Sequence, residues 1–108
     1  MDFKTLGENL GLELEEFVEL VELFASSAAS DIDRLSKAYE NSDTKQVSEA
    51  AHSLKGSSGN LGFGSFSEIA KKVEEKAKNG NIEGSTETIS LLNEKLQEIT
   101  EQLKNHSR

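Results

Sequence analysis

A chain of 108 residues with no proline and 34% of its residues apolar suits one compact domain built on a single core. Its 20 acidic against 12 basic residues, a formal net charge of -8, argue against a nucleic-acid partner, because phosphate-backbone binding draws on clustered Lys and Arg. The lack of cysteine removes disulfides, thiol nucleophiles and thiolate metal sites, and no stretch approaches the roughly 18 apolar residues of a membrane span.

Without proline, and rich in Glu, Lys, Leu, Ala and Ser, the chain predicts long helices joined by glycine-containing turns. Phe3, Leu6 and Leu10 recur at helical spacing in a short first segment, roughly Asp2 to Leu10, which Gly11 ends and which would lie as a lid across a bundle. From about Glu13 to Glu40, Leu14, Phe17, Val21, Phe24, Ala28, Ile32, Leu35 and Tyr39 form one apolar stripe on a long helix. Its acidic run, Glu13, Glu15, Glu16, Glu19 and Glu22, reads as a solvated face placed well for the helix dipole.

Asn41-Ser42-Asp43 breaks that helix, and Asp43 followed by Gln46 resembles a capping box opening a third helix that runs through His52 to about Leu61. Gly62-Phe63-Gly64 stops it. A fourth helix, about Ser65 to Lys78, buries Phe66, Ile69, Ala70, Val73 and Ala77, ends at Asn79-Gly80, and carries Lys76 and Lys78 in its last turn. A fifth, starting between Ile82 and Thr86 and reaching about Lys104, aligns Ile89, Leu92, Leu96, Ile99 and Leu103, leaving residues 105–108 as an expected tail. The predicted fold class is all-α: an antiparallel up-and-down four-helix bundle with a short extra N-terminal helix, forming one domain over residues 1–108.

On a helical wheel Val47, Ala51, Leu54, Ser58 and Leu61 cluster on the core side, whereas His52 lies about 140° from Val47 and should project into solvent. Gly56 and Gly59 share its face. Glycine within a helix costs about 0.5–1 kcal/mol relative to alanine, and close approach by another protein would compensate for two of them. Lys55 falls three residues after His52, where an ammonium would neutralise part of the charge of a phosphoryl group on the ring. Neutral imidazole is a nucleophile at cytoplasmic pH, so the pattern points to reversible phosphoryl transfer.

The run His52-Ser53-Leu54-Lys55-Gly56-Ser57-Ser58-Gly59-Asn60-Leu61-Gly62 resembles HxxKGSSxxLG, the signature of histidine-containing phosphotransfer (HPt) domains. The likeness extends to Phe24 and Leu35, the Ala51-His52 pair, the run from Ile69-Ala70 to Glu74 and the Gly80 turn. It implies that His52 takes a phosphoryl group from the aspartyl-phosphate of a receiver domain, with Lys55 and Gly56 flanking it. It further implies response-regulator receivers and a hybrid sensor histidine kinase as partners, and no cofactor on this chain, since Mg²⁺ belongs to the receiver. Family members often bond the imidazole's second nitrogen from the next helix, and the matching residue here, Glu74, would fix the ring's tautomer as in the Glu version found in chemotaxis-kinase domains.

Ser57 and Ser58 read as small packing residues, and His106 as an ordinary tail histidine. Leu23 and Leu91, off their stripes, are candidates for a docking patch. No kinase activity is expected, because the chain has no glycine-rich nucleotide motif; Met1-Asp2-Phe3-Lys4 does not begin a leader peptide, so a cytoplasmic location is expected, and the chain is expected to be a monomer. The rival reading is a bundle that binds receivers, or itself, without carrying phosphate.

Overall fold

The computed structural model describes residues 2–106, which form five helices and, among the described residues, no strand. Helix α1 (Phe3–Asn9) opens on Asp2, whose carboxylate accepts from the Lys4 and Thr5 backbone N–H groups at 3.0 and 3.4 Å. Helix α2 (Leu14–Glu40) buries Phe17, Val21, Phe24, Ala28, Ile32 and Leu35 as its periodicity predicts, with Leu14 and Tyr39 only partly covered at its ends. Helix α3 (Thr44–Asn60) starts at Asp43, whose Oδ1 accepts from the Gln46 backbone N–H at 3.1 Å. The Gln46 side chain turns to Glu49 instead of returning to the cap, so only half of the expected capping box forms.

Helices α4 (Gly64–Lys78) and α5 (Ser85–His106) complete a bundle in which α3 packs between α2 and α4, and α5 closes the ring against α2 and α4. Each apolar stripe is covered by two neighbours, which is why four modest stripes yield one continuous core. Helix α1 lies against α2 and sends Phe3 into the end of the bundle, where its ring centroid sits 5.6 Å from Phe17 and 6.2 Å from Phe63. The tail expected from position 105 does not begin there. Asn105 and His106 continue α5, and the His106 ring stacks on Phe3 with centroids 5.4 Å apart; positions 107 and 108 lie outside the described residues.

The α3–α4 turn is held by Gly62 at φ +87°, with the Phe63 N–H donating to the Ser58 carbonyl at 3.0 Å. A Cβ there would stand 3.0 Å from Leu6 Cδ2 as well as straining the backbone. Gly62→Ala is therefore expected to lower stability by about 1–3 kcal/mol, read as a lower urea midpoint at unchanged m-value.

Candidate functional site

His52 lies in the middle of α3, and its side chain is 68% exposed. The core side of the helix is occupied by Val47, Ala50, Ala51, Leu54 and Ser58, which leaves the ring over the groove between α3 and α4. Across that groove stands Glu74, on the same helix face as Ala70 and Ala77, one turn to either side. Both alanines are buried, and their small side chains let the two helices approach closely there.

Glu74 is only 3% exposed, the one charged side chain among the buried residues described. Its carboxylate is fully engaged. Oε2 accepts from His52 Nδ1 at 2.7 Å, Oε1 accepts from Lys55 Nζ at 2.6 Å, and the Lys78 ammonium stands 3.4 Å from Oε2. These contacts hold the carboxyl down to about 2, from a usual 4.5: the Lys55 hydrogen bond is the largest cause, burial opposes it, and His52 and Lys78 add to the lowering. A carboxylate can only accept, so the bond assigns the proton to Nδ1 and leaves the lone pair on Nε2, at the far side of the exposed ring.

The backbone around the ring is anchored from both sides. Ser53 Oγ donates to Asp31 of α2 at 2.7 Å, and Ser67 Oγ of α4 donates to the Lys55 carbonyl at 3.0 Å. Ser58, fully buried, donates back to the Leu54 carbonyl at 2.6 Å, a packing role of the kind its sequence position indicates.

The two glycines on the His52 face have different causes. A Cβ on Gly59 would meet Ser67 Oγ at 3.2 Å, so approach by α4 of the same chain accounts for it, not approach by a partner. A Cβ on Gly56 would meet nothing within 4 Å, so nothing inside the fold requires that glycine. The exposed leucines also part. Leu20 shares the side of α2 that carries Asp31 towards α3, with Leu23 next to it, and they are 40% and 68% exposed. Leu91 sits apart from His52, in a depression shared with Tyr39, Ile69 and Val73. Leu20 was not singled out by sequence, and Lys78 only as a cation suited to the end of its helix; Glu19, Glu22 and Leu23 beside the one, and the i, i+4 spacing from Glu74 of the other, were the available signals.

The family model of the Hpt domain matches residues 19–106, which include His52, Lys55, Gly56 and Glu74. The chain belongs to the Hpt domain family. Hpt domains are phosphocarriers that work in histidine phosphotransfer relays, and the helical bundle described above is their fold. Among solved structures, the chain is similar to the histidine-containing phosphotransfer protein B of Pseudomonas aeruginosa, with a TM-score of 0.85 at 22% identity, over 98% of this chain and 92% of that one. No curated protein matches it significantly. As an Hpt domain it has, among the described residues, no helix long and apolar enough to cross a membrane.

Proposed function

We propose that this Hpt domain carries a phosphoryl group on Nε2 of His52, receiving it from and returning it to the aspartate of receiver domains in a relay headed by a hybrid sensor kinase. The observation that carries the reading is the 2.7 Å contact between His52 Nδ1 and the buried carboxylate of Glu74. It presents Nε2 as a lone pair to an incoming acyl phosphate. As the N–P bond forms, the P–O bond to the aspartyl carboxylate breaks and the carboxylate leaves with the electron pair. The ring keeps its Nδ1 proton and becomes cationic, and Glu74 stabilises that charge, so no proton has to be removed and no general base is required. The reverse step uses the same groups: a cationic phosphoimidazole is a good leaving group.

Lys55, one-third exposed beside the ring, offsets charge on the carried phosphoryl group. Mg²⁺ and the acidic pocket that activates the acyl phosphate are assigned to the receiver, and the domain has no kinase activity of its own. The receiver would sit on the bare backbone at Gly56 and reach towards the exposed Leu20 and Leu23 of α2. Incubation with a phosphorylated receiver is expected to leave label on the domain that survives alkali and is lost in acid. Binding to several receivers without any such label would return the reading to a non-carrying interaction module.

Gly56→Ala separates folding from docking. A helix-interior alanine with open space around it should raise stability by about 0.5–1 kcal/mol, while a methyl one turn from His52 slows transfer from the receiver. Thermal unfolding and transfer kinetics on the same preparation check both halves.

A further inference from the structure

Glu74 faces three donors, and the carrier reading uses only two of them. Lys78 is the third. It lies one turn beyond Glu74 on α4, in the orientation that favours an acid-to-base pair on a helix, and its ammonium stands 3.4 Å from Oε2. That is the oxygen that accepts the His52 Nδ1–H bond, whereas Lys55 takes Oε1. The two lysines therefore act on different bonds. Lys55 holds the carboxylate in place from α3, and Lys78 competes with the imidazole for the same lone-pair density.

We infer that Lys78 is a positioning residue that weakens the hold of Glu74 on the His52 ring and so shifts phosphoryl exchange away from His52 and towards the receiver. The inference rests on the carrier reading of His52. Its physical content is a matter of charge. Phosphorylated imidazole is a cation whose Nδ1 proton leans on Oε2; a second cation on that oxygen reduces the stabilisation it gives. The groups facing Glu74 are His52 and Lys55 from α3 and Lys78 from its own helix, so the buried carboxylate is opposed by two permanent positive charges before the ring acquires one. The Lys78 side chain is 64% exposed, so water screens the effect and keeps it in the range of an exposed ion pair. A small shift suits a carrier, because a phosphoryl group held too firmly on the histidine would not be passed on.

The test is Lys78→Gln, which leaves an exposed position polar and should fold as the wild type does. With one purified receiver at equilibrium, the ratio of label on His52 to label on the receiver is expected to rise about two- to fivefold. Lys78→Arg, which keeps the charge, should stay near the wild-type ratio. In a Glu74→Gln background the change at Lys78 should have no effect, because the lysine acts through that carboxylate. In the unphosphorylated protein, NMR of the imidazole nitrogens should show the Nδ1–H proton of His52 moved downfield in Lys78→Gln. An unchanged or lowered ratio, or the same rise without Glu74, would overturn the inference, as would an unmoved Nδ1–H resonance. A wild type that accepts no label at all instead sinks the carrier reading and the exchange step with it, and the NMR measurement tells that failure apart from a lysine that does not act on the ring.

Discussion

A His52→Gln protein is expected to fold normally and to accept no label from a phosphorylated receiver. The folding half follows from where the ring sits. The side chain is 68% exposed and fills no part of the core, and Glu74 keeps Lys55 and Lys78 as partners when the imidazole is gone, so no buried charge is stranded. Stability should stay within about 1 kcal/mol of the wild type, measured by urea unfolding. The transfer half follows from chemistry: an amide side chain has no nucleophilic lone pair comparable with that of imidazole Nε2. The second histidine gives no escape route. His106 stacks on Phe3 at the terminus of α5, with Gln102 Nε2 as its 3.5 Å neighbour and, among the described residues, no buried carboxylate to orient it. Label that persists on His52→Gln, or a variant that fails to fold, would place the phosphoryl group, or the structural role of the ring, elsewhere.

The outward direction of His52 was legible in the sequence because periodicity alone settles which residues of α3 face the core, and five buried positions fix the wheel. The helices themselves were legible for the same reason, with their termini set by Asp43, Gly62 and Gly80 to within a residue or two. What periodicity omits is how one helix is rotated against the next. Glu74 at the margin of its stripe reads equally as a solvated charge or a buried one; only the approach of α4 to α3 buries it. Gly59 is the clearest case. On a wheel it belongs with Gly56 on the face of His52, yet Ser67 of α4 presses against it, and the contact that distinguishes the two glycines lies between helices. A further role for Lys78 is not legible in the sequence, because a lysine in the last turn of a helix has a sufficient explanation in the dipole. The last turn of α5 is not legible in the sequence for a related reason: the Phe3 ring that supports His106 comes from the opposite end of the chain.

The buried carboxylate gives the domain a specific weakness in acid. In the folded protein the Glu74 carboxyl is held down to about 2, against 4.5 in an unconstrained chain. A depressed carboxyl contributes stability that is fully present above its unfolded value and is lost as the pH falls towards its folded one, because protonation is easier in the unfolded chain. At about 1.4 kcal/mol for each pH unit of separation, the contribution at neutral pH is at most about 3 kcal/mol, and water around the exposed His52 and Lys78 side chains screens it below that. Between about pH 4.5 and pH 2 the wild type should therefore lose stability steeply, and Glu74→Gln should lose less over the same interval. At pH 7 the same substitution should cost stability, because two lysines then face an amide in place of a carboxylate. Urea midpoints measured from pH 7 to pH 2.5 on the two proteins give the comparison: the curves should converge as the pH falls. Parallel curves would mean that Glu74 is no more strained towards ionisation than an ordinary surface carboxylate, and that the lysines around it serve the ring on the surface more than the fold beneath it.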